Sequence, residues 1–190
     1  MSRNVKYSLL LVGAVFILCC GGAIGTYFVG RALLQQVVAT TPEEAARIGR
    51  QIADYDLPVG YREQIGMNMG AIKMVMIAPE STLPGLFISL MQFQAGTTDV
   101  ETMRAQMEQS LTQQTGSQST QMEVVGTEDV TIKGETVTLT IREGKTENGD
   151  TLRQVTGIFP GKDGPAMLML MGSADNWDEE AVDSFITSIR

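Results

Sequence analysis

No histidine occurs among the 190 residues. That absence removes the commonest general base, the side chain that titrates nearest neutral pH and the commonest metal ligand together. Cysteine is nearly as scarce. Cys19 and Cys20 are the only two, both inside an apolar run, so whatever folds beyond them has neither a disulfide nor a thiol nucleophile. Ser89, Ser110 and Ser184 have no histidine to activate them, and no GxSxG or SxxK surrounds them. KGET at 133–136 and GKDG at 161–164 lack the spacing of a phosphate-binding loop. No catalytic constellation is present, and the chain reads as a non-enzyme without a cofactor.

A further absence is local. Tyr7 to Gly30, YSLLLVGAVFILCCGGAIGTYFVG, contains no Asp, Glu, Lys or Arg. As a helix rising 1.5 Å per residue it would reach about 36 Å, more than the ~30 Å of hydrocarbon in a bilayer. A secretory signal has a shorter apolar core and a small-residue cleavage site. Ala23-Ile24-Gly25 offers such a site, but Tyr27, Phe28 and Val29 carry the apolar run past it, which favours an uncleaved transmembrane helix over 7–30. Lipid attachment wants a small residue before the modified cysteine. Here Leu18 precedes Cys19, and Cys19 precedes Cys20. Arg3 and Lys6 before the span, against Arg31 alone close behind it, place residues 1–6 in the cytoplasm and the rest outside the cell membrane. Gly21 and Gly25 form a GxxxG step, the spacing that lets two such helices approach as a homodimer.

Arg3 and Lys6 are also the only charges in the first 30 residues. The remainder therefore carries 12 Lys and Arg against 22 Asp and Glu, a net charge of −10. Such a surface repels phosphate backbones and excludes nucleic acid as a partner. About 150 residues are left for folding, enough for one ordinary domain.

Leu33, Leu34, Val37 and Val38 recur at helical spacing, and Thr41, Pro42 and Glu44 make a capping box with a favourable proline. Residues 31–54 thus read as a helical stalk or linker, with Ala45, Ile48, Gly49 and Ile52 on one apolar face. The domain proper is expected over 55–190. GYREQIGMNMG, AIKMVMIAP and LPGLFISLMQFQ read as three neighbouring antiparallel strands. Thr98 and Glu101 then cap a helix whose Val100, Met103, Met107 and Leu111 share the face that packs on the sheet. Four more strands follow from Met122, with Asn148-Gly149 predicted as a type I′ hairpin turn. A closing helix, capped at Asp175, carries Trp177, Ala181, Val182, Phe185, Ile186 and Ile189 as one stripe. The expectation is an α+β domain, an antiparallel sheet of about six to seven strands covered by helices.

This element order, through the closing helix ending in FITSIR, resembles the PsbP-like fold of the extrinsic proteins of the oxygen-evolving complex and their bacterial relatives. The resemblance spans roughly residues 55 to 190 and rests on no diagnostic motif. It implies an extracytoplasmic accessory domain that assists a membrane assembly, and it carries over no functional residue.

Methionine is the least ordinary feature that is present. Met67 and Met69, Met74 and Met76, and Met167, Met169 and Met171 occur at spacing two, so each group projects from one strand face. Core packing is the ordinary use of such side chains. The other uses are a soft-ligand site for Cu(I) or an adaptable surface for an apolar ligand. Asp175, Asn176 and Asp178 lack the ligand spacing of a calcium loop. Glu128 and Asp129 adjoin on a strand and so point to opposite faces. The function expected is a membrane-anchored accessory module that binds an unknown membrane or extracytoplasmic protein. The alternative is a carrier of an apolar ligand or Cu(I) on the methionine face.

Overall fold

A computed structural model of the protein describes residues 38–80, 85–94, 96, 102 and 122–190. The expected membrane span 7–30, with Gly21 and Gly25, lies outside these residues. So do residues 31–37 and, apart from Thr102, the helix expected from Thr98 to Leu111. Among the described residues no helix is long and apolar enough to cross a membrane.

The described part is an α+β unit. In chain order it comprises β1 (Val38–Ala39), α1 (Pro42–Ile52), β2 (Tyr61–Asn68), β3 (Ile72–Pro79), β4 (Phe87–Phe93), β5 (Met122–Ile132), β6 (Glu135–Lys145), β7 (Thr151–Pro160), β8 (Pro165–Ser173) and α2 (Glu179–Ser188). The strands form one antiparallel sheet in the order β1-β2-β3-β4-β8-β7-β6-β5.

The sheet has eight strands, not six to seven. The addition is β1, where Val38 and Ala39 pair with Met67 and Gly66 on the outer edge of β2. Two residues cannot announce a strand by periodicity; the unpaired backbone of β2 recruits them. Of the residues expected in a stalk over 31–54, those from 38 to 54 belong to the compact unit Val38–Arg190, and 31–37 lie outside the described residues. Helix α1 starts as expected, with Thr41 Oγ1 accepting from the Glu44 N–H at 3.4 Å. Its face of Ala45, Ile48, Gly49 and Ile52 is buried on the sheet and is no solvent-exposed linker. The approach is close: a Cβ on Gly66 would lie 2.8 Å from the Ala45 Cα.

Two turn assignments also change. The turn with positive φ at both central residues is Lys133-Gly134, at 54° and 79°, joining β5 to β6. At Asn148-Gly149 only the glycine is left-handed, and it closes a turn by donating its N–H to Thr146 O at 2.9 Å. Helix α2 is capped by Asp178, whose Oδ1 accepts from the Ala181 N–H at 3.0 Å; Asp175 instead lies in a single 3₁₀ turn, Ala174–Asn176.

Register sorts the side chains onto two faces. Gly66, Val75, Leu90, Leu168 and Gly157 stand opposite one another across five strands on the face that α1 covers. The core lies here, with Tyr55, Ile77, Ile88, Leu170, Phe159 and Phe185 almost wholly buried. Its two helices meet at their ends. Asp54 and Arg190 exchange backbone hydrogen bonds of 3.1 and 2.7 Å, and the rings of Tyr55 and Phe185 lie 5.5 Å apart. This clamp sets the course of α2 over β5, β6 and β7.

Candidate functional site

The methionine groups do gather, as period two requires. Met67, Met74, Met91 and Met167 face one another across β2, β3, β4 and β8, with Ile158 next in line on β7. They lie on the face opposite the core, half-buried. Met69, Phe87 and Met171 are the exposed members, at 53, 46 and 37%. Polar groups interrupt the row: Ser89, Gln154 and Thr156 are buried on the same face. The Gln154 amide donates to Met169 Sδ at 3.4 Å, and Arg142 Nη1 donates to Thr156 Oγ1 at 3.0 Å. The thioether of Met169 thus already serves as an acceptor inside the fold. Among the described residues no three His, Cys, Asp or Glu side chains cluster to hold a metal.

A cavity of about 550 Å³ opens at one end of the sheet, between the β2–β3 turn, the end of β4 and the β7–β8 turn. Its charges are matched internally. Lys73 Nζ lies 2.7 Å from Asp163, and Lys162 Nζ lies 2.8 Å from Asp54. The hydrogen bond from each lysine is the main cause that holds its aspartate below the usual carboxylate range. Gln92 is buried beneath the turn. With its amide oriented to satisfy both groups, Oε1 accepts from the Lys162 and Asp163 N–H groups at 3.0 and 2.9 Å. These polar groups hold the β7–β8 turn in place, and little is left over for a ligand.

The third feature is different in kind. Between α2 and strands β5, β6 and β7 runs a groove of about 400 Å³. Its floor is Val130, Leu139, Ile141 and Val155, all on the core face by register, and its wall is Val182 and Ile186. Trp177, the only tryptophan, stands at one end. The alternation of β5 carries Glu128 to the rim, while Asp129 points to the other face and accepts from Thr138 Oγ1 at 2.7 Å. Asp183 and Glu179 edge the groove from α2. Among the described residues Arg153 is the one cation there. Its Nε lies 2.8 Å from Glu143 and its Nη1 3.2 Å from Glu179, and its guanidinium sits 5.5 Å from the Trp177 ring centre. The groove therefore offers aliphatic floor, an aromatic end wall and a rim of net negative charge.

Sequence reasoning did not foresee this meeting of residues. Trp177, Val182 and Ile186 read as a core stripe, and Glu128 as a residue beside Asp129 on a strand. Only the register of β5 on β6 and the clamp at Asp54 and Arg190 bring them together. A lone tryptophan just ahead of an acid-capped helix was the available signal.

No protein-family model and no curated protein matches the chain. Three solved structures resemble it. Cyanobacterial PsbP (CyanoP) from Synechocystis sp. PCC 6803 is 10% identical with a TM-score of 0.45, the match covering 74% of this chain and 92% of that one. A protein of unknown function from Pseudomonas aeruginosa, described as a putative regulator, is 11% identical with a TM-score of 0.37, over 66% and 85% of the two chains. LpqN, involved in cell envelope biogenesis of Mycobacterium tuberculosis, is 14% identical with a TM-score of 0.36, over 72% and 81%. No residue role passes across likenesses of this size.

Proposed function

We propose that the protein is a single-pass membrane protein whose α+β domain acts outside the cytoplasm as a binding or accessory module. Residues 7–30 hold it in the cell membrane with residues 1–6 in the cytoplasm, and the groove between α2 and β5–β7 is where it takes a segment of a neighbouring protein. One observation carries the reading: an open apolar trough with a tryptophan at its end, in a domain whose other polar cavity is internally matched. Concave apolar sites with a few placed polar groups are the usual form of binding sites. The uncharged run Tyr7–Gly30 supports the anchor. Without a histidine or a cysteine in the domain, binding explains the groove more simply than catalysis does. The alternative of a carrier on the methionine face has less in its favour, since that face is half-buried and interrupted by the polar side chains Ser89, Gln154 and Thr156.

The test is a photoreactive side chain placed at Thr187, exposed at the groove, or at Phe87, exposed on the methionine face, in intact membranes. A defined protein adduct is expected from position 187. Adducts from position 87 alone, or a domain untouched by protease added outside intact cells, would overturn the reading.

A further inference from the structure

Resting on the groove as the binding site, we infer that its occupant is a basic amphipathic segment, one that lays aliphatic side chains on the floor and directs Lys or Arg toward the rim. The floor has no polar side chain among Val130, Leu139, Ile141 and Val155, so it rewards aliphatic contact and nothing else. The rim holds four ionic groups that face the trough: Glu128, Glu179, Asp183 and Arg153. Arg153 is already spent on Glu143 and Glu179 and on the Trp177 ring. Glu128 and Asp183 make no ion pair among the described residues, and they stand on opposite banks, one on β5 and one on α2. An apolar strip between two unmatched carboxylates is complementary to a peptide whose charges flank an aliphatic stripe. The rim repels the anionic headgroups of a membrane surface, and it repels an acidic peptide, including a second copy of this chain of net charge −8.

The chain supplies its own reporter. Trp177 is the only tryptophan and lines the groove, so its emission reads occupancy there and nowhere else. Full-length protein in zwitterionic nanodiscs would be titrated with a Leu/Lys amphipathic peptide, a Leu/Glu peptide of the same pattern and a scrambled Leu/Lys peptide, each corrected against empty discs. A saturable shift of Trp177 emission is expected with the Leu/Lys peptide and not with the other two. The double variant E128K/D183K reverses both free carboxylates and is expected to weaken binding roughly tenfold or more. A control pair remote from the groove, Glu80→Lys with Asp150→Lys, is expected to bind as the natural chain does. Equal binding by the Leu/Glu peptide, or unchanged affinity in E128K/D183K, would overturn the cationic assignment while leaving the groove a binding site. No saturable shift with any peptide, together with no adduct from position 187, would overturn the site itself.

Discussion

Gly49 exists for the hydroxyl of Tyr55. A Cβ built on Gly49 would lie 2.0 Å from Tyr55 Oη, 3.0 Å from Cζ and 3.3 Å from Cε1. The ring is fully buried and its hydroxyl donates to Glu63 Oε1 at 3.2 Å, in a setting where Glu63 is itself 6% exposed. Gly49→Ala therefore sets two effects against each other. Helix propensity alone favours Ala by about 1 kcal/mol. Against it stand overpacking of about 1–3 kcal/mol and, because the ring must move by more than an ångström, loss of a charge-assisted buried hydrogen bond of about 1.5–3 kcal/mol. The net expectation is destabilisation by about 2–4 kcal/mol, which for a unit of this size lowers Tm by roughly 8 °C. The assay is urea and thermal unfolding of Gly49→Ala, Tyr55→Phe and the double variant. Tyr55→Phe alone should cost about 2 kcal/mol by leaving the Glu63 carboxylate unpartnered. It also removes the atom that clashes most, so the double variant should be at least ~1 kcal/mol more stable than the sum of the singles. A Gly49→Ala protein that is as stable as the natural one, or a strictly additive cycle, would refute the account of this contact.

Burial first, then the Glu63 charge and the hydrogen bond to it, push the Tyr55 hydroxyl well above its ordinary value of 10.0. A folded pKa raised above the unfolded one gives stability that is complete below pH 10 and lost as pH climbs further, so the urea midpoint should fall as pH rises above 10. Tyr55→Phe should flatten that limb, and an equally steep fall in the variant would contradict it. Gly134, at φ 79°, should resist substitution, Gly134→Ala costing about 1–2 kcal/mol in the same unfolding assay.

Element type was legible wherever one periodicity ran long enough. The α1 face of Ala45, Ile48, Gly49 and Ile52 and the alternation of Val137, Leu139 and Ile141 in β6 stand in the structure as their spacing requires. What failed was decided by partners outside the window. Val38 and Ala39 fit a helical stripe equally well, and only the free edge of β2 makes them a strand. Asn148-Gly149 is the stronger turn signature, yet the two-residue turn fell to Lys133-Gly134 because the ladders of β5 and β6 close there without a spare residue. The methionine spacing correctly placed the thioethers on single strand faces. It could not say that Gln154, Thr156 and Arg142 from β6 and β7 would share that face, since this depends on a register set through β8.

On the function proposed above, the groove and the anchor would explain each other energetically. A trough of about 400 Å³ holds only a few side chains, and the cost of association offsets much of what so small a contact gains, so a free domain of this kind would bind at micromolar affinity or weaker. Tethering changes the arithmetic without changing a contact. A domain confined to tens of ångströms from the bilayer meets a partner in the same membrane at an effective concentration near the millimolar range, well above such a Kd. Detaching residues 38–190 from the membrane should therefore abolish the expected adduct at position 187 in cells while leaving intact the response of Trp177 to a basic peptide supplied at high concentration. Loss of both would mean that the groove needs the N-terminal residues for its own shape; loss of neither would mean that the affinity is high and the anchor serves something other than concentration.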